Sequence, residues 1–208
     1  MKTNKFAQTL GISAALGILF LWMPSLQAQE RMPSYDNTRP KLNEAEQQRL
    51  DEKQKRQEFV RRGIDLYQQR KYAAAETIFR QLIQAEPKEA KYHFYLGNSL
   101  FYQGKLSEAQ TAYQEAIRLN GKYALAYNAL GFLHASQGQW NEAIAHYQKA
   151  LEINANYADA LKNLGDALWK NGNQTDAKNN WEKALALYTK QGNNKEAQRL
   201  QELLRSNQ

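Results

Sequence analysis

The sequence predicts an all-α protein, an array of four helical hairpins closed by a capping helix. Glycines recur at Gly63, Gly97, Gly131 and Gly165, each 34 residues after the last, and a fixed period of that length marks stacked supersecondary units. Each glycine is followed by an alanine (Ala75, Ala109, Ala143, Ala177), then an aromatic (Phe79, Tyr113, Tyr147, Trp181), then a further apolar residue (Leu82, Ala116, Ala150, Ala184), always at the same spacing. The composition agrees: 208 residues, 42% hydrophobic and 24% charged, with only 4 Pro, suit a folded chain with enough apolar surface for a core.

The elements follow in chain order. Residues 1–28 have the three-part plan of an export signal: Lys2 and Lys5, an apolar run over 10–23 broken only by Ser13, then Pro24-Ser25 ahead of Leu26-Gln27-Ala28. At about 1.5 Å per residue that run spans roughly 21 Å, and roughly 27 Å if it starts at Phe6, against a hydrocarbon core of ~30 Å. Two readings stay open, a signal peptide cleaved after Ala28 or an uncleaved membrane helix tethering the protein through residues 6–23. Both place the rest of the chain outside the cytoplasm, because the positive flank stays inside. Residues 29–43 carry two prolines and no apolar periodicity and read as a flexible linker. Residues 44–55 favour helix but are polar nearly all round, a solvated helical extension.

Within each 34-residue unit the apolar spacing gives two antiparallel helices. Gly104, Gly138 and Gly172 fall where a helix end requires a left-handed residue. The glycine and alanine positions are small because helices approach closely there, and the aromatic is expected to fill the gap between units. One hairpin cannot bury its own apolar face, but stacked hairpins can. These residues, most plainly YNALGFLHASQGQWNEAIAHYQKALEIN (127–154) and LKNLGDALWKNGNQTDAKNNWEKALAL (161–187), resemble the tetratricopeptide repeat family and its pattern W-x2-L-G-x2-Y, A-x3-F, A, P. The resemblance covers residues 56–191 as repeats 56–89, 90–123, 124–157 and 158–191. It implies a right-handed superhelix whose concave face binds peptides. Repeat one departs from the pattern, with Arg62 in place of Leu and Arg70 in place of the turn glycine, as suits a terminal unit. Residues 192–208 form a capping helix and tail, with Ala197, Leu200, Leu203 and Leu204 on one stripe.

Several function classes are excluded. Without Cys there is no disulfide framework, thiolate metal site or cysteine nucleophile. His93, His134 and His146 lack an H-x3-H or HExxH partner, and His134 and His146 are expected to be packing neighbours within one hairpin. The segment GNSLFYQGK (97–105) fails the spacing and context of a phosphate loop, and no GxSxG motif or carboxylate pair appears. The sequence therefore reads as non-enzymatic, with no cofactor, metal or small-molecule substrate. The net charge of +7 is dispersed: Lys53, Lys55, Arg56, Arg61 and Arg62 are interleaved with Glu52, Glu58 and Asp65, so no nucleic acid is expected.

At 100° per residue, the face of each first helix opposite its buried leucine-glycine pair is calculable. It comprises Gln57, Arg61, Ile64 and Gln68; then Lys91, Tyr95, Asn98 and Tyr102; then Leu125, Ala129, Phe132 and Ser136; and finally Asp159, Asn163, Asp166 and Lys170, with Phe94, Asn128, Lys162 and Trp169 alongside. Asparagines both donate to and accept from a peptide backbone, and aromatics supply contact area at low entropic cost. The candidate partner-binding residues are therefore Lys91, Tyr95, Asn98, Tyr102, Asn128, Phe132, Lys162, Asn163, Asp166 and Trp169. Relatives that hold chaperone C-terminal carboxylates place cationic residues and asparagines across three successive repeats. Phe94, Ala129 and Asp159 interrupt such a set here. The expected function is an exported or membrane-tethered scaffold that binds peptide segments of other proteins. The alternative is a membrane-anchored assembly factor for an envelope or photosynthetic complex.

Overall fold

A computed structural model describes residues 43–207, and among these every regular element is an α-helix. The elements are α1 (Glu44–Gln68), α2 (Tyr72–Ala85), α3 (Ala90–Phe101), α4 (Leu106–Leu119), α5 (Ala124–Ser136), α6 (Trp140–Ile153), α7 (Ala158–Lys170), α8 (Gln174–Lys190) and α9 (Asn194–Ser206). They pair as four hairpins, α1/α2 to α7/α8, each stacked on the next, with α9 packed on α8. The expected signal or tether (1–28, 6–23) and almost all of the linker lie outside the described residues. No described helix is long and apolar enough to cross a membrane.

A capping box starts α1: the Glu46 amide donates to Asn43 Oδ1 at 2.9 Å and the Asn43 amide to Glu46 Oε2 at 3.0 Å, satisfying two otherwise orphaned donors. The helix then runs unbroken for 25 residues. The polar extension and the first helix of repeat one are therefore one continuous helix through residue 56. Only its second half finds a partner; Gly63 is its one buried residue.

Each hairpin turns on a left-handed residue. Gly104, Gly138 and Gly172 have φ of 78°, 75° and 89°. The Gly104 amide reaches Phe101 O at 2.9 Å and the Lys105 amide Leu100 O at 3.0 Å, which ties off the last carbonyls of α3. Arg70 makes the same turn at φ 60°, with its amide on Tyr67 O and that of Lys71 on Leu66 O, both at 2.9 Å. A side chain in that conformation costs about 1–2 kcal/mol, partly offset by the lower unfolded-state entropy of a non-glycine. Arg70→Gly is accordingly expected to stabilise the array by about 1 kcal/mol, seen as a higher urea midpoint.

The chain ends its array by changing the turn. Connections between hairpins leave through extended residues, Glu86, Asn120 and Asn154. In contrast, α8 runs 17 residues where the other second helices run 14, and it ends in the within-hairpin turn at Gly192, φ 71°. Thus α9 folds back on α8, burying Ala197 and Leu200 while Lys195, Arg199 and Glu202 stay exposed. That polar back closes the core.

The repeat glycines are small because the second helix of the hairpin approaches closely, its carbonyls at Ala143 and Ala177 lying 3.1 and 3.0 Å from a methyl group at Gly131 and Gly165, and because an aromatic ring covers each glycine. A methyl group at Gly97 would meet Tyr113 Cε1 at 2.5 Å, one at Gly131 would meet Tyr147 Cδ1 at 2.8 Å, and one at Gly63 would meet Phe79 Cζ at 2.9 Å; at Gly165 it would strike the Trp181 ring. Each aromatic therefore lies across the glycine of its own hairpin, a correction to the expectation that it fills the space between units. Phe79 also reaches onward, stacking on Tyr95 of the next hairpin at 5.2 Å.

A polar clamp ties the first two hairpins together. Glu76 on α2 accepts from Lys105 Nζ at 2.9 Å, Gln103 Nε2 at 2.8 Å and Arg80 Nε at 2.8 Å, and Arg80 continues to Glu108 at 2.9 Å. Burial alone would raise the Glu76 pKa, but the bonds from Lys105, Arg80 and Gln103 outweigh it and lower it to about 2. A carboxylate depressed in the fold stabilises fully above its ordinary value of 4.5 and loses that contribution as pH falls towards about 2. Its side chain is only 12% exposed. Glu76→Gln is therefore expected to cost about 1–3 kcal/mol at pH 7, a difference from wild type that shrinks between pH 4.5 and 2 in acid-unfolding curves.

Candidate functional site

The first helices of the hairpins form the inner face of the stack: α3 touches α5 and α5 touches α7, whereas α4 and α6 approach only through the helices between them. On α3, α5 and α7 the side chain one position after the repeat glycine lines this face, and buried aromatics hold two of the three from beneath. Tyr113 donates its hydroxyl to Asn98 Oδ1 at 2.8 Å, and Trp181 Nε1 donates to Asp166 Oδ1 at 2.9 Å. The equivalent position on α5 is Phe132, which cannot accept such a bond; its ring stands 45% exposed, 5.4 Å from Phe101.

One further tie crosses between hairpins, and two more lie within the fourth. Asn163 Nδ2 on α7 donates to Asn128 Oδ1 on α5 at 3.1 Å, Lys162 pairs with Asp166 at 2.7 Å, and Tyr188 donates to Asp159 Oδ1 at 2.6 Å. Burial first and then the Asp159 carboxylate push the Tyr188 pKa well up, so its phenol stays a donor. Burial does the same for Tyr113. The face is thus preorganised, since its amides and carboxylates are already oriented by internal bonds.

Two adjoining cavities open on it. One, roughly 420 Å³, is lined by Asn98, Tyr102, Leu125, Asn128 and Asp159 among others; its neighbour, roughly 460 Å³, is largely aromatic, with Trp140, Tyr147, Trp169 and Trp181. Phe132, Lys162 and Asn163 line both. Of the residues expected from sequence, Asn98, Tyr102, Asn128, Phe132, Lys162, Asn163, Asp166 and Trp169 are brought together here. The other two are not. Lys91 belongs to a separate groove with Lys53, Arg61 and Glu86, its ammonium 5.9 Å from the Tyr95 ring. Tyr95 is taken up in packing, stacked on Phe79 and edge-on to Phe94. Both lie on the calculated stripe, but the stack leaves them outside the cavities.

Sequence reasoning missed Tyr67, Phe101, Tyr157, Tyr188 and Leu203, because it considered only one stripe of each first helix. Tyr157 enters from the loop before α7, Tyr188 from α8 and Leu203 from α9. The recurrence of Tyr123 and Tyr157 at the 34-residue period was the available signal for the loop position.

The arrangement offers aromatic area, amide donors and acceptors, and charge of both signs, with Asp159, Asp166 and Glu196 beside Lys162 and Lys170. This is the chemistry of a binding surface. Among the described residues no three His, Asp or Glu side chains are grouped to hold a metal ion.

Tetratricopeptide repeat family models match residues 60–101, 97–138, 133–172 and 158–190, which together run through all four hairpins. The chain belongs to the tetratricopeptide repeat family. Among solved structures it is similar to that described as the crystal structure of MamA, at 25% identity and TM-score 0.59, covering 66% of this chain and 81% of that one. A second MamA structure gives 25% identity and TM-score 0.57, over 66% and 75%. The first TPR of Spaghetti (RPAP3) bound to HSP90 peptide SRMEEVD shares the fold, at 23% identity and TM-score 0.54, over 57% and 94%. No curated protein matches the sequence.

Proposed function

We propose that this protein is an interaction scaffold that binds a peptide segment of another protein along the inner face of the array. One observation carries the reading. Among the described residues the exposed large hydrophobic side chains are Leu50, Tyr102, Leu125 and Phe132, and the last three converge on one cavity. Exposed apolar area gathered in a concave, preorganised site favours a ligand over water. Asn98, Asn128 and Asn163 would pair with the backbone of an extended segment, and the aromatic cavity beside them would take a large side chain. The acidic groups Asp159, Asp166 and Glu196 disfavour a C-terminal carboxylate as that ligand.

The apolar run over residues 6–23 supports export of the array, either released after Ala28 or tethered. N-terminal sequencing of the protein from its own cells separates these: a chain starting at Gln29 means release, and a retained Phe6–Met23 stretch means a tether, the form an assembly factor for an envelope or photosynthetic complex would take. The binding reading is tested by crosslinking in native cells. The combined variant Tyr102→Ala, Leu125→Ala, Phe132→Ala is expected to lose one dominant partner that the wild type recovers. An unchanged set of partners would overturn the groove as the site.

A further inference from the structure

Hairpin three carries two histidines where hairpins one and two carry apolar residues. In the 34-residue register His134 stands in the place of Leu66, Leu100 and Leu168, and His146 in the place of Ile78 and Ala112, with Asn180 at that position in hairpin four. Leu100, Ile78 and Ala112 are 1%, 7% and 6% exposed, so these are packing positions. The two imidazoles, one from α5 and one from α6, lie face to face with centroids 5.2 Å apart and planes 14° apart. His134 Nδ1 is 2.6 Å from Gln139 Oε1. An amide oxygen only accepts, so neutral His134 holds its proton on Nδ1 and leaves Nε2 to take the next one.

We propose that this stacked pair is a proton-operated latch that loosens hairpin three when the pH falls below neutrality. Stacked imidazoles at this distance cannot both become cations without repulsion. Burial, and then the neighbouring His134, hold the His146 pKa below its ordinary 6.5, with Glu142 opposing. The groups around the pair are Tyr127 on α5, whose ring is 6.4 Å from that of His146, and Glu142 on α6, with Lys149 one turn beyond His146. α4 has the neutral Gln114 at the register position of Arg80, and α7 contributes no charge acting on His146. A base whose pKa is lowered in the fold leaves stability whole above 6.5 and erodes it as pH falls below that value, because the unfolded chain takes the proton first. The same α5 helix presents Asn128 and Phe132, so loosening it would break the Asn128–Asn163 tie across the inner face. Release of a bound segment would follow; that last consequence depends on the groove being the binding site, whereas the latch itself does not.

The test is hydrogen exchange on the full chain at pH 7.5 and 5.0, corrected for the pH dependence of chemical exchange. Amides of α5 and α6 are expected to lose protection about tenfold more than those of α3 and α4. His134→Leu with His146→Ala, which copies hairpin two, is expected to abolish that difference. If the double variant folds poorly, His146→Ala alone is expected to do the same. Equal acid response of all hairpins in the wild type, or the same selective loss in a variant lacking the pair, would each overturn the latch.

Discussion

Trp181→Ala is expected to lower the unfolding free energy by about 3–5 kcal/mol, the range for emptying a buried tryptophan site. The side chain is 2% exposed, its ring packs 5.4 Å from that of Trp169, and its indole nitrogen orients Asp166. Gly165→Ala alone is expected to cost up to about 2 kcal/mol: overpacking against the ring is worth roughly 1–3 kcal/mol and the better helix propensity of alanine returns about 1. The pair of changes should not add, because the two residues are in direct contact. Once the ring is gone, the nearest contact named for the new methyl group is the Ala177 carbonyl, at 3.0 Å, and Gly165→Ala should cost clearly less than it does in the wild type. Urea unfolding of the four proteins followed by circular dichroism gives the cycle. Simple additivity would show that the glycine is small for some reason other than the ring.

With the partner in hand, Phe132→Ala is expected to weaken binding by at least about 2 kcal/mol, roughly thirtyfold, as an aromatic at the centre of an interface does. Phe132 lines both cavities and is 45% exposed, so its loss should leave the unfolding midpoint within about 0.5 kcal/mol of wild type. Tyr102→Ala is expected to act in the same direction but less, since Tyr102, 52% exposed, sits at the edge and is stacked on Tyr72 at 4.9 Å. Calorimetry of the partner segment with each variant measures both effects.

The fold was legible because one physical requirement repeats. A ring over a glycine, a close-packed alanine and a left-handed turn each demand particular residues, and each demand recurs every 34 positions. Even the departure at Arg70 was readable, and the structure gives it the same positive φ as the glycines it replaces. The ends were less legible. The polar extension carries no stop signal before Val60, so its fusion with the first repeat could not be seen, and the turn at Gly192 shows its meaning only in where α9 packs. Helical periodicity placed most of the groove, since Asn98, Phe132 and Asp166 follow their glycines directly. It did not bring Lys91 and Tyr95 to the two cavities: Lys91 is exposed in a separate groove, and Tyr95 packs on Phe79 and Phe94, which a stripe drawn on one helix does not show. It missed Tyr157, Tyr188 and Leu203 because they come from a loop, a second helix and the cap, whose approach to the inner face is a product of stacking.

Site-specific photo-crosslinking in native cells tests the inner face most directly. A photoreactive phenylalanine analogue would be placed at Phe132 or Tyr102 on the inner face, and at Thr111 or Ala145 on the exposed side of the second helices. Crosslinks from positions 132 and 102 to one common protein, with none from 111 and 145, are the expected result. The same partner captured only from positions 111 and 145 would contradict inner-face recognition and place the binding surface on the outer helices.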